Sequence, residues 1–196
     1  MTQLCFYFDQ TRCTGCFTCA VACKDWHDID AGPVNWLRVA VREEGDFPDI
    51  FITCLASPCY QCLNPPCVLA CPAKAIARSE SDGIVTVDRG KCLGNKECRT
   101  LCLHACPWEA PQFGPEENAK MQKCEFCRER LEQGKQAICV EACPMYALDL
   151  GPEEELRAKY GAVREAEGFR YFSRYKPSVI FKAKKKTPRS SILVDY

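Results

Sequence analysis

The sequence predicts an α+β fold with few short strands and helices and much loop, arranged as two small modules with one inserted in the other. Three observations point there. Eighteen of the 196 residues are cysteine. Sixteen of these fall into four quartets of similar spacing, an internal repeat. Short strand-like stretches flank the quartets, and no long periodic segment separates them.

The composition sets the frame. The hydrophobic share of 47% counts cysteine, and what remains without it is low for a packed core of this length. Something bound to sulfur has to make up the deficit. The 26 basic and 26 acidic residues cancel, which argues against a nucleic-acid binder. No stretch of 18 apolar residues exists, so no direct membrane span is expected. The N-terminus shows neither a basic and apolar leader nor a twin arginine, so the expected location is cytoplasmic. The alternative is export or membrane association through a partner subunit. Lys182, Lys184, Lys185, Lys186 and Arg189 form the one strong local charge bias; a solvated tail is the simpler reading, a docking segment the alternative.

The quartets are Cys13-x2-Cys16-x2-Cys19-x3-Cys23, Cys59-x2-Cys62-x4-Cys67-x3-Cys71-Pro72, Cys92-x5-Cys98-x3-Cys102-x3-Cys106-Pro107 and Cys124-x2-Cys127-x11-Cys139-x3-Cys143-Pro144. Three thiolates on a tight loop wrap one face of a 4Fe–4S cube. The fourth cysteine, often followed by proline, ligates the neighbouring cube in two-cluster ferredoxins. Four quartets therefore fit four 4Fe–4S clusters. Zinc sites pair two C-x2-C knuckles across a spacer, which only the fourth quartet resembles. Disulfides are the poorer guess for a chain read as cytoplasmic.

The first quartet has Lys24 where proline is usual. In the third, Asn95 stands where the second cysteine is expected. Either three residues are inserted and Cys98 and Cys102 complete the loop with Cys92, or Asn95 marks a lost ligand and a 3Fe–4S cluster. The presence of Cys102 favours the insertion. His27 and His104 read as residues beside a cluster or on the surface, and Trp26, Trp36 and Trp108 as packing against cluster walls. Cys5 and Cys54, left over, read as small buried hydrophobes.

Residues 73–76 and 84–88 read as two short strands around Asp82-Gly83, joining the second and third quartets. Residues 54–120 are thus a ferredoxin-like module, inserted into a second one made of 1–53 and 121–161. Strands at 4–8 and 147–150 flank the second module. Residues 152–160 open on proline and three acids and close at Gly161, a short helix. A docking tail, 162–196, follows, with an edge strand near 178–181. The ligand-exchange rule then assigns Cys13, Cys16, Cys19 and Cys143 to one cluster. It assigns Cys59, Cys62, Cys67 and Cys106 to a second, Cys92, Cys98, Cys102 and Cys71 to a third, and Cys124, Cys127, Cys139 and Cys23 to a fourth.

Residues 9–25 (DQTRCTGCFTCAVACKD), 59–72 (CYQCLNPPCVLACP), 123–148 (KCEFCRERLEQGKQAICVEACPMYAL) and their continuation DLGPEEELRAKYG carry a family likeness. The chain resembles the iron–sulfur electron-transfer subunit of dimethyl sulfoxide reductase-type molybdenum or tungsten oxidoreductases, and departs from it in the third quartet. The resemblance implies a non-catalytic wire without a substrate site of its own. Its partners would be a molybdopterin or tungstopterin catalytic subunit and a membrane anchor or soluble electron carrier, in anaerobic respiration. The alternative is the electron-transfer subunit of a hydrogenase or formate-hydrogen-lyase, or of a tungsten aldehyde oxidoreductase or benzoyl-CoA reductase. Four oxidised clusters with their thiolates would add roughly −8 to the chain. Arg12, Lys24, Lys74, Lys91 and Lys123 are candidates to offset it, with ordinary surface placement the simpler reading.

Overall fold

A computed structural model describes residues 2–186; Arg189 of the basic run lies outside them. The chain ends meet in a central sheet. Strand β1 (Leu4–Asp9) pairs antiparallel with β6 (Leu148–Pro152), Leu4 opposite Pro152 and Phe8 opposite Leu148. On its other side β1 pairs parallel with β7 (Val179–Lys182), giving the order β6-β1-β7. Phe6, Phe8, Leu150, Val179 and Phe181 from these strands are fully or nearly fully buried in the largest core cluster. The segment expected as a docking tail thus supplies an inner face of the sheet, and Phe169 and Ala166 pack on the same core.

Strands β2 (Arg38–Glu44) and β3 (Phe51–Ser57) form a separate antiparallel hairpin that the sequence reading did not anticipate. Its first strand reads RVAVREE, largely polar and exposed, so no buried alternation announces it. Strands β4 (Ile76–Arg78) and β5 (Val85–Val87) form a third sheet. The expected strand at 73–76 starts only at Ile76, because Lys74 takes a positive φ of 50° in the turn that follows Cys71. Helices are short: α1 (Thr18–Trp26), α2 (Pro66–Ala70), α3 (Asn95–Cys98), α4 (Leu101–Ala105), α5 (Arg128–Glu132), α6 (Ile138–Glu141) and α7 (Glu153–Tyr160). The last begins after Pro152, carries three acids in its first turn and ends at Gly161 with φ of 85°.

Two buried glutamines tie these pieces together. Gln10, 1% exposed, donates to the carbonyls of Cys54 and Glu167 at 2.9 Å and accepts from the Glu167 N–H at 3.0 Å. Gln61, 0% exposed, accepts from the Val85 N–H at 2.8 Å and donates to the Cys124 carbonyl at 2.9 Å. It joins the second quartet, β5 and the fourth quartet. Removing its amide leaves the buried Val85 N–H unpaired, at about 1–3 kcal/mol, while the Cys124 carbonyl keeps Lys123 as a donor. Gln61→Leu is therefore expected to destabilise the chain by about 1–3 kcal/mol. Thermal bleaching of the visible chromophore at a clearly lower temperature than in wild type checks this, with Gln3→Ala, whose amide is only part-buried, as the comparison.

Candidate metal centres

The quartets share a backbone design. The residue two after each leading cysteine has positive φ: Gly15 at 71°, Gln61 at 42°, Gly94 at 97° and Phe126 at 54°. Only two of these are glycine, so context and not residue type alone enforces the left-handed turn. The Cys-x3-Cys halves sit on single helical turns. Cys19 and Cys23 lie in α1; Cys67 and Cys102 lie in α2 and α4, whose C-terminal caps are Cys71 and Cys106; Cys139 lies in α6, just before Cys143. Residues four apart on a helix are neighbours on one face, about 5–6 Å apart.

The three Cys-Pro segments then repeat one turn. Lys74, Glu109 and Tyr146 have φ of 50°, 51° and 50° and donate their N–H to the carbonyls of Cys71, Cys106 and Cys143, each at 3.1 Å. The next residue is alanine, whose N–H points at the same cysteine's sulfur: Ala75 to Cys71 Sγ at 3.3 Å, Ala110 to Cys106 Sγ at 3.5 Å, Ala147 to Cys143 Sγ at 3.4 Å. Cys23 differs because α1 continues through Lys24 to Trp26. Proline at 24 would lose an intrahelical hydrogen bond, which accounts for the lysine there.

Cysteines from different quartets converge. Cys13, Cys16, Cys19 and Cys143 line one small void of about 20 Å³. Cys71, Cys92, Cys98 and Cys102 line another of about 20 Å³. The Cys62 thiol has Cys59, Cys106 and Cys67 as electrostatic neighbours. Cys139 has Cys124, Cys127 and Cys23. The groups also follow one another in order. Cys19 is near Cys139, Cys124 near Cys59, and Cys67 near Cys102. In the third quartet the extra residues form α3, one turn that carries the chain from Asn95 to Cys98. Cys98 lines the void with its three companions and Asn95 does not. The buried Asn95 Oδ1 has no hydrogen-bond partner among the described residues.

Burial pushes the Cys19, Cys23, Cys67 and Cys102 thiols up to about 12, and the crowded neighbouring thiols push the same way. Burial also drives Cys62, Cys124 and Cys139 well up. Cys16 is the exception, exposed and lowered by the Thr18 hydroxyl, which donates to its sulfur at 3.4 Å. All eighteen cysteines are free thiols. Such packed sulfurs cannot ionise together unless cations sit among them. Four sulfurs per site, apolar walls and N–H donors aimed at sulfur fit iron–sulfur clusters.

Other candidates fall out differently. His27 is half-buried, with Nε2 3.3 Å from Cys127 Sγ and its ring 4.6 Å from that of Trp36; burial lowers its pKa. His104 is exposed and reaches Thr100. Cys5 is fully buried, as expected, among Tyr7, Leu156 and Ile180. Cys54 is buried too, as expected, and its thiol is an electrostatic neighbour of Cys13. Trp26 and Trp108 hold other partners, Glu129 and the Arg170 carbonyl. Arg12, Lys24, Lys74 and Lys91 are at the surface or engaged there. Of the five candidate cations, Lys123 alone is buried.

Fold and site together define an iron–sulfur electron carrier. A family profile for the 4Fe–4S dicluster domain matches residues 50–153. The sequence is 40% identical over 190 residues to the probable anaerobic dimethyl sulfoxide reductase chain YnfG of Escherichia coli K12, covering 92% of this chain and 89% of that protein. It is 39% identical over 189 residues to a chain of the anaerobic dimethyl sulfoxide reductase of the same organism, with the same coverage. A subunit of the sulfite dehydrogenase of Allochromatium vinosum is 32% identical over 149 residues, 69% of this chain and 60% of the relative. The chain belongs to the family of iron–sulfur subunits of dimethyl sulfoxide reductase-type molybdenum oxidoreductases.

Each thiol that leaves iron near neutral pH takes up a proton, so lower pH favours cluster loss. Chelator-driven bleaching is expected to become more extensive between about pH 8 and pH 5, and the stripped chain to lose its cooperative melt. Visible absorbance and circular dichroism check both; pH-independent bleaching would contradict the first.

Proposed function

We propose that this chain holds four 4Fe–4S clusters and relays single electrons between a molybdenum- or tungsten-pterin catalytic subunit and a membrane or soluble redox partner. The single observation that supports it most is the convergence of cysteines from separate quartets. Cys13, Cys16, Cys19 and Cys143 would hold one cluster; Cys124, Cys127, Cys139 and Cys23 the next; Cys59, Cys62, Cys67 and Cys106 the third in line; and Cys92, Cys98, Cys102 and Cys71 the last. The second and third quartets then form the inserted module, 54–120, inside the module made of 1–53 and 121–161.

When bound, the clusters supply the one-electron chemistry, and the protein sets spacing, exposure and potential. The N–H groups of Ala75, Ala110, Ala147, Met121 and Phe126, 3.3–3.5 Å from cysteine sulfurs, would stabilise the thiolate charge. Apolar side chains are exposed beside both terminal sets: Phe17 and Met145 at the first, Leu69, Leu93 and Leu101 at the last. These are the faces where partner subunits would dock and electrons enter or leave. Among the described residues no helix is long and apolar enough to cross a membrane, so membrane contact would come through a partner.

Anaerobic purification of the native complex should give at least about sixteen iron atoms and sixteen labile sulfides per copy of this chain, the content of four cubic clusters, with any cluster of the catalytic subunit in addition. Molybdenum or tungsten should copurify. Cys98→Ser should perturb one cluster by EPR, while Asn95→Ala leaves all signals in place; an oxidised three-iron signal in the wild-type complex that Cys98→Ser leaves unmoved would instead make Asn95 the mark of a three-iron site. Cys143→Ala should damage the cluster held with Cys13, Cys16 and Cys19. Loss of the Cys124 cluster instead would refute the ligand exchange.

A further inference from the structure

Lys123 is 1% exposed, although lysine is almost never fully buried unless paired. Its ammonium donates to the carbonyl of Val85 and, at 3.0 Å, to that of Cys124. Among the described residues no carboxylate pairs with it. The nearest acid in sequence, Glu125, accepts from the Val87 N–H at 3.1 Å. Carbonyl dipoles satisfy two of its protons but cancel no charge. An ammonium left so in the interior is among the costliest placements a fold can make. Its position indicates where the missing anion comes from. Lys123 immediately precedes Cys124 in sequence, and its charge favours the thiolate of Cys67 against the effect of burial. Those two cysteines belong to the two central sets in the succession.

Resting on the four-cluster reading, we propose that Lys123 is the shared counter-cation of the two central clusters and holds their midpoint potentials above those an uncharged side chain would give. Each occupied set carries about −2, so the lysine is paired only once the clusters are in place. A fixed positive charge favours the more negative, reduced state, and the buried setting strengthens the effect. Arg12, Lys24, Lys74 and Lys91, exposed or paired at the surface, act far less on any cluster. Lys123 is thus a charge-compensating residue that acts through the cluster environment and is not itself a ligand.

The test is an EPR-monitored redox titration of the native complex carrying Lys123→Met, with iron and labile sulfide measured alongside. Two midpoint potentials are expected to fall, by the equivalent of about tenfold in each oxidised-to-reduced ratio, while the other two stay put. Lys123→Arg, which keeps the charge, is expected to restore both. A Lys123→Met complex that fails to assemble while Lys123→Arg assembles with wild-type potentials also supports the charge requirement. Full cluster content with no shift, or an equal shift of all four, overturns it. So does a Lys123→Arg complex that behaves like Lys123→Met, including failure of both to assemble. Wild-type iron short of four clusters would instead refute the underlying four-cluster reading, and this inference with it.

Discussion

One helical turn is the constraint on which the rest of this structure depends. Each quartet places two cysteines four residues apart along a short helix or just past its end, so that two sulfurs project from neighbouring positions whose Cβ atoms lie about 5–6 Å apart. In the proposed ligand sets those two sulfurs serve neighbouring clusters. The spacing between redox centres is then fixed by backbone hydrogen bonds and not by flexible side chains. This explains why helices of only four to nine residues suffice. The helices that carry these cysteine pairs need little stability of their own, because in the proposed sets metal would clamp both ends of a turn.

The second demand is electrostatic. Clusters concentrate negative charge in a chain whose formal charge is zero. The fold answers at short range with main-chain N–H groups aimed at sulfur, and in its centre with a buried ammonium. Such donors are fixed by turns, so they need no rearrangement when an electron arrives. The positive φ of Lys74, Glu109 and Tyr146 is part of that answer, because it turns the following alanine N–H back onto the sulfur. Alanine at that place is buried in all three segments.

Much of this was legible in the sequence because cysteine spacing is a direct record of metal geometry. The quartets, the strands at the chain ends, the helix before Gly161 and the family likeness all followed from residue type and interval. The β2–β3 hairpin did not, since its exposed strand of arginines and glutamates lacks the alternation that burial imposes. The left-handed turns at Gln61 and Phe126 were equally hidden, because neither residue advertises that conformation. Gln61 and Gln10 look like surface glutamines in a sequence, and only the fold reveals their buried partners. For Lys123 the sequence offered five equivalent cations; burial singled out one.

The antiparallel register of β1 with β6 has a consequence for how the protein is made. Cys13, Cys16 and Cys19 leave the ribosome early, but Cys143, their companion in the proposed ligand set, and the strand that pairs with β1 come more than a hundred residues later. A nascent chain therefore displays incomplete sulfur sets until most of it has emerged. On that assignment, filling the sets that need Cys139 and Cys143 would wait for late translation, and the half-built chain would need shielding from stray oxidants in the meantime.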